Sequence, residues 1–441
     1  MIRPDVTLSQ AWHFPTPTVM SLPTGLTVWH VHLPGQHLAT FELVLPVALA
    51  AEPRDREGLG TVALHAIDEG TVSHPDGRIG ELLEGQGATL HGTARLRYTT
   101  FGGQAPTRRL PEVLRLFVEV LAEPEYAERD VAHHIEAQVA AYDSKLASPG
   151  PSARLALRRE LYGAEHREGR PAAGTPATLG QLTAADAHAW HRRHFTPDGA
   201  VLLVAGDLPD PAPLSRLADW VGPGRGSGST PAPAPDGRSR IVVVDRPGSV
   251  QATILIGRRS VPRSHERWPA LRLAGHAVVG AFASRLNLEL RERLGYSYGI
   301  GGGFSPGVGE SQFTVGGSVR TEVAADAVAR LLDGLELRDP FTAAEIDDAR
   351  RYLVGVAPLA NETSADIVGQ ASALAAAGLD AGYMNRHFAD LGVVTPAQAT
   401  EAFRDEVRPD TLTVAVAGAA EELLPALAAR GLVAEVVDLR D

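Results

Sequence analysis

Three short features of this chain occur twice, each pair 212 positions apart: Thr183 and Thr395, Pro197-Asp198 and Pro409-Asp410, Ala205-Gly206 and Ala417-Gly418. In both copies a Thr sits where it can cap a helix. A Pro-Asp turn, an apolar strand and an Ala-Gly step follow. Chance similarity would not hold one register across three features, so the sequence implies an internal duplication. A duplicated chain of 441 residues is expected to fold as two homologous units of about 200 residues each. Between them, residues 222–238 read G-P-G-R-G-S-G-S-T-P-A-P-A-P-D-G-R, too poor in apolar side chains to bury a core. The expected division is a first domain over 1–221, a linker over 222–238 and a second domain over 239–441.

Local patterning gives each unit both strands and helices. Leu26, Val28 and Val31 follow a Pro23-Thr24-Gly25 turn, and Phe41, Leu43 and Leu45 alternate, as in half-buried strands. Gly58 to Glu69 predicts a short helix, and Ile79, Leu82 and Leu83 a second one closed by Gly85 and Gly87. Thr89 to Phe101 is strand-like. Leu110, Val113, Leu114, Phe117, Val118 and Leu121 recur at helical spacing, and Glu128 to Leu146 predicts another long helix. In the second unit, Ile241–Val244 and Thr253–Ile256 read as strands, Pro269 opens a helix, and Thr342/Glu345 and Thr395/Gln398 form capping boxes. The fold class is α+β: two homologous domains, each a mostly antiparallel sheet with helices packed on one face.

Composition removes several classes of function. A net charge of −12 disfavours nucleic-acid binding, which calls for a basic stripe. There is no cysteine, so disulfides and thiolate metal sites are ruled out. The start, M-I-R-P-D-V-T, lacks an apolar h-region, and the run Phe41 to Ala51 is too short to cross a bilayer. A cytoplasmic protein without membrane association is expected.

The stretch most suggestive of chemistry is Gly280 to Tyr298, G-A-F-A-S-R-L-N-L-E-L-R-E-R-L-G-Y-S-Y. Ser284 is placed as an N-cap, Leu286 and Leu290 repeat at i, i+4, and Gly295 is placed to end the helix. Tyr296, Tyr298 and Ile300 alternate with Ser297 and Gly299, which predicts a strand. Arg291 and Tyr298 would then flank a tight turn, with a cation and a phenol able to reach one space. An Arg in a last helical turn is also favoured by the helix dipole alone.

The wording G-x-x-x-S-R-L-x-x-x-L-R-E-x-x-G-x-x-Y resembles a signature of the insulinase/pitrilysin-like zinc peptidases, the family of the mitochondrial processing peptidases. Val243 to Ile254 resembles the opening strand of that family's second domain. Glu52-Pro53 with G-L-G-T-V-A-L-H-A-I-D-E-G-T at 58–71 resembles its metal-bearing stretch. The resemblance implies the processing-peptidase-like metallohydrolase fold. It also implies that Arg291 and Tyr298 contact a bound peptide and polarise its scissile carbonyl. Gly87 to Ala94 resembles the family's peptide-binding edge strand, with Gly92 and Thr93 as substrate-contacting positions and His91 in place of the usual Asn.

Active members carry H-x-x-E-H, two His ligands with a Glu general base between them. Registered on Gly70-Thr71, those positions here are Thr61, Leu64 and His65. The later Glu ligand falls on Ile135, with Glu136 one place out of register. Catalytic zinc needs about three protein ligands and an open position. No metal is therefore expected in this chain, and His65 reads as an ordinary helix histidine. His188, His191 and His194, at i, i+3, i+6, are read as packing residues. His133-His134 points two ways around its helix, and Gly301 to Gly309 reads as a hairpin without a phosphate-loop helix.

By its resemblance the chain is the zinc-site-deficient subunit of a heterodimeric peptidase. Its partner would be a homologous subunit with an intact H-x-x-E-H and its zinc, and its substrate an unfolded peptide. Two rival expectations are a non-enzymatic scaffold of the same fold, and an active zinc peptidase using displaced ligands such as His65 with Glu69 or Glu136.

Overall fold

The computed structural model describes residues 12–222 and 239–440. Most of the expected linker, 223–238, therefore lies outside the described residues. The first sheet contains β1 (Thr18–Ser21), β2 (Thr27–His32), β3 (Leu38–Leu45), β4 (Thr89–Ala94), β5 (Thr99–Pro106) and β6 (Val201–Gly206), in the order β1-β2-β6-β3-β5-β4. The second contains β7 (Arg240–Asp245), β8 (Gln251–Ser260), β9 (Gly301–Ser305), β10 (Ser311–Arg320), β11 (Thr413–Gly418) and β12 (Ala434–Val436), in the order β12-β7-β11-β8-β10-β9. The two orders superimpose strand for strand from β2/β7 to β4/β9. Each sheet is antiparallel except beside its second strand: β2 runs parallel to β6, and β7 runs parallel to β11 and β12.

The duplicated register is physical. β6 begins at Val201 and β11 at Thr413, and the preceding helices, Ala184–His194 and Pro396–Glu406, keep the same 212-residue offset (184 to 396). Thr183 and Thr395 each close a capping box, with Asp186 and Gln398 reaching back to the cap N–H. Such a box satisfies two otherwise orphaned donors at a helix start.

In the first half, α1 (Leu59–His65), α2 (Arg78–Gly85), α3 (Leu110–Ala122) and α4 (Glu128–Ala147) follow the sequence expectations closely. A further helix, α5 (Pro149–Tyr162), is not signalled by the sequence, because Pro149-Gly150-Pro151 reads as a break. Both prolines sit in the first turn, where a helix needs no N–H from them.

Helix α5 does not cover its own sheet. Ala153, Ala156, Leu157, Leu161 and Tyr162 pack on Val242, Val244, Ala415 and Ala417 of the second sheet. Reciprocally, the helix Ser364–Ala376 lays Ile367, Val368, Ala371 and Leu374 on Trp29, Val31, Val44, Leu203 and Ala205 of the first. Thr40 and Ser364 share a buried hydroxyl hydrogen bond of 2.9 Å across this contact. Each half therefore carries its own helices on one sheet face and receives one helix from the other half on the opposite face. Full burial of each such aliphatic side chain contributes about 1.5–3 kcal/mol, so each sheet depends on both halves.

A second bond between the halves lies at the β9–β10 turn. Glu310 pairs with Arg259 at 2.9 Å and with Arg97 of the β4–β5 turn at 3.4 Å, and Arg97 also pairs with Glu168. The glycine-rich run 301–309 is thus the first strand and turn of a hairpin, as the sequence suggests. No described helix is long and apolar enough to cross a membrane.

Candidate functional site

The Arg291/Tyr298 element begins where the helix Trp268–Gly275 widens into a π turn over His276–Gly280. Insertions of this kind recur near functional positions. The chain breaks at Ala281 and restarts as a helix at Arg285 after Ser284, the expected N-cap residue. The Ser284 hydroxyl does not cap the new helix; it accepts a hydrogen bond from Asn287 Nδ2 at 3.1 Å. The helix widens again over Leu288–Arg293 and ends at Gly295, whose φ of 62° is open to glycine at little cost. The Gly295 N–H donates to Arg291 O, and the Tyr296 N–H reaches back to Leu290 O at 2.9 Å.

The strand expected through Tyr296, Tyr298 and Ile300 does not form; β9 starts only at Gly301. The reason is Asn287. Its Nδ2 donates to Ile300 O at 2.8 Å and its Oδ1 accepts from Ile300 N–H at 2.8 Å, so the backbone groups that would join a sheet are bound by a side chain. Nδ2 also lies 3.1 Å from Ala281 O, tying the break before the helix to the segment after it. Tyr296 turns inward to donate its hydroxyl to Asp326 at 2.9 Å.

Tyr298 is fully exposed. The Arg291 guanidinium carbon lies 3.3 Å from the centre of the exposed Phe282 ring, and its Nη2 is 2.7 Å from Glu292. The phenol is therefore presented to solvent, whereas the guanidinium is largely covered between Phe282 and Glu292, and neither borders the cavities beside α4 and α5.

The other candidate position is the start of α1. Its entry is fixed by a buried carboxylate, Glu52, which accepts from the N–H groups of Gly58 at 3.2 Å and Gly60 at 2.8 Å and pairs with Arg167 at 2.8 Å. A carboxylate at a helix N-terminus is favoured by the dipole and by free N–H groups. Burial pushes the Glu52 carboxyl up, and Arg167 with the two N–H groups pulls it back. Glu57 pairs with Arg170 beside it. Arg167, Arg170 and Glu57 carry no local sequence signal, since their partners are more than a hundred residues away in the chain.

On α1 itself, Leu64 is buried and occupies the space beside β4: a Cβ added at Gly92 would lie 2.9 Å from its side chain. His65 Nδ1 is 3.2 Å from Gln138 Nε2. Burial, then His134 and Lys145, hold its imidazole below the ordinary value. His134 pairs with Glu69 at 2.8 Å, Glu136 is exposed, and Ile135 packs on the core. The donor set thus comprises a hydroxyl, two alkyl groups and one imidazole. Among the described residues, no three His, Asp or Glu side chains converge to hold a metal. These residues do not fit a catalytic zinc, and the displaced set of His65 with Glu69 or Glu136 is not brought together.

Of the remaining histidines singled out, His191 and His194 pack, whereas His133 and His188 are exposed. His191 Nε2 lies 3.1 Å from the Leu121 carbonyl, and burial lowers both His191 and His194 to about 4. Thr61, His65 and the edge strand residues Gly92 and Thr93 do share one cavity of about 580 Å³ with α4 and α5.

The fold is a duplicated α+β unit, with the short helix α1 set against an edge strand in its first copy. A family model described as the peptidase M16 inactive domain matches residues 181–353. A protein of Mycobacterium tuberculosis strain H37Rv called an uncharacterized zinc protease is 25% identical over 363 residues, covering 79% of this chain and 81% of its own. A similarly described protein of Bacillus subtilis is 21% identical over 319 residues, covering 71% and 76%. The crystal structure of a peptidase M16 inactive domain from Pseudomonas fluorescens superimposes with a TM-score of 0.85 at 22% identity, covering 91% of this chain and 98% of that one. A protease from Helicobacter pylori gives 0.83 at 16% identity, covering 92% and 100%. At those identities the two structures speak for the fold. Over residues 181–353 the chain is thus similar to the inactive domain of M16 peptidases, and its fold is theirs.

Proposed function

We propose that this chain is the zinc-deficient subunit of a two-chain peptidase acting on unfolded peptides. Arg291 and Tyr298 would be supplied to the zinc site of a homologous partner that carries H-x-x-E-H. The observation that carries this reading is the state of the two sites together. A buried Leu64 stands where the resemblance puts the general base, whereas Tyr298 is fully exposed on a segment clamped by Asn287, and the Arg291 side chain is bound, among the described residues, only by its neighbour Glu292 and the Phe282 ring. In the assembled enzyme the guanidinium and phenol would donate hydrogen bonds to the oxyanion that develops on the scissile carbonyl. Loss of one such donor costs about 10²–10³ in turnover. The exposed Phe282 ring under Arg291 restricts its guanidinium, which lowers the ordering cost on binding.

The test is reconstitution. Purify the chain alone and with an H-x-x-E-H homologue from the same genome, and follow cleavage of a quenched fluorescent peptide. The chain alone should be inactive and the mixture active. Arg291→Ala and Tyr298→Phe should each lower turnover about a hundredfold or more while co-elution with the partner persists. Turnover by the isolated chain, or unchanged turnover in both variants, overturns the proposal.

A further inference from the structure

The whole chain is strongly acidic, but the cavity beside α1 is not. Its charged lining is Lys145 from α4, Arg154 and Arg158 from α5, and Arg170; no Asp or Glu lines it. Lys145 is the only lysine in the chain. Two of the four cations are committed. Arg170 is neutralised by Glu57, and Arg158 donates from Nε to the Glu168 carbonyl at 3.0 Å. Lys145 and Arg154 are exposed and have no carboxylate within ion-pair distance among the described residues. A smaller cavity of about 230 Å³ shares Arg154 and Arg158 with the first and reaches Gln312 and Thr314 of the second sheet; its one carboxylate, Glu168, is paired with Arg97.

One wall of the larger cavity is β4, the outer strand of its sheet, through Gly92, Thr93 and Ala94. An unpaired sheet edge offers a row of backbone donors and acceptors to an extended chain, and alternate side chains of that chain then point to one side. Here that side holds two unpartnered cations at about one charge per helix. A peptide with a basic residue at this point meets repulsion, and one with a carboxylate meets compensation.

We propose that the cavity beside α1 is an anion subsite that takes a carboxylate of an extended peptide, with Lys145 and Arg154 as its recognising groups. The proposal deepens the peptide-binding part of the function proposed above, and it concerns this chain alone, without the partner's zinc. The carboxylate is either a peptide C-terminus or an Asp/Glu side chain; the chemistry is shared, and the experiment separates the two.

The experiment uses the purified full chain and fluorescence anisotropy of labelled, unstructured twelve-residue peptides (an order of length, roughly 3.3 Å per residue, that spans the edge strand and cavity). Four probes suffice: a Glu-containing peptide and its Gln counterpart, each with a free and an amidated C-terminus. At least one carboxylate-bearing probe should bind more tightly than the neutral one, and added salt should weaken it. A preference removed by amidation assigns the C-terminus; one removed by Glu-to-Gln exchange in the peptide assigns the side chain. Lys145→Ala and Arg154→Ala should each weaken that probe about fivefold, the equivalent of one part-exposed ion pair, and leave the neutral probe unchanged. Both side chains are exposed, so the fold survives their loss. Arg154→Glu should turn the preference toward a Lys-containing peptide. Equal binding of all four probes, no binding of any, or insensitivity to all three substitutions overturns the proposal. A failed reconstitution with the partner would leave these outcomes unaffected, so the two readings fail separately.

Discussion

Replacing Asn287 by Ala isolates the device that presents Tyr298. Asn287 is buried, and its amide has two N–H groups and one strongly used oxygen. Four acceptors lie within 3.5 Å of Nδ2: the carbonyls of Val279, Ala281 and Ile300 and the Ser284 hydroxyl. Only two can be well served at once, and the 2.8 Å bond to Ile300 O is the shortest. Alanine therefore leaves the buried Ile300 N–H and C=O without partners. Each of the two unpaired groups costs about 1–3 kcal/mol, so local opening of the segment becomes easier by roughly 2–6 kcal/mol. In native-state hydrogen exchange the Ile300 amide should then exchange between about thirtyfold and a few ten-thousandfold faster. The Val204 amide in β6 of the first sheet should keep its rate. Asn287→Asp should be at least as damaging, because a carboxylate would face the same carbonyls. A change at Ile300 below about threefold, against a stated cost of at least about 2 kcal/mol, would refute the assignment of Asn287 as the clamp.

Two further outcomes follow from the first half and from burial. Gly92→Ala puts a Cβ 2.9 Å from Leu64 and should destabilise by about 1–3 kcal/mol. Leu64→Ala alone should cost about 2–5 kcal/mol, and the double variant less than the sum, read from urea midpoints; strict additivity would mean that the two do not touch. Acid should also destabilise the protein. Burial holds His191 and His194 at about 4 and His387 at about 3, below the ordinary imidazole value of 6.5. Their folded values are depressed, so the stability they allow is complete above about 6.5 and is lost as the pH falls toward 4, by up to about 3 kcal/mol each. Asp68 acts the other way: burial raises it from 3.8 to about 6, so it costs stability above about 6 and returns it on acidification. In Asp68→Asn the urea midpoint should be higher at pH 7 and fall more steeply between pH 6.5 and 4; an unchanged slope would contradict this.

Local rules account for most elements that could be read in advance. Thr183, Thr342 and Thr395 cap helices because the needed partner lies three residues away, within reach of any chain that turns there. α3 was legible because its apolar spacing needs no knowledge of what it packs against. The segment around Tyr298 was misread for the opposite reason. Alternation of Tyr296, Tyr298 and Ile300 is the pattern of a strand, but Asn287, thirteen residues earlier, captures the backbone that a strand would use. α5 was hidden by prolines that are harmless only at a helix start, and its burial on the opposite half has no counterpart in its own periodicity.

From the sequence alone come the two like units and the alkyl side chains of Leu64 and Ile135, which no folding can make into metal ligands. It also singles out Arg291 and Tyr298 as the residues on which the proposed function turns. The folded chain adds that each sheet borrows a helix from the other half and that Tyr298 faces solvent. It alone gathers Lys145 and Arg154 around one cavity of an acidic protein. Those outcomes depend on which surfaces meet in space; the exchanged helices in particular join residues a hundred or more positions apart, and such a contact leaves no mark on the spacing of either one's neighbours.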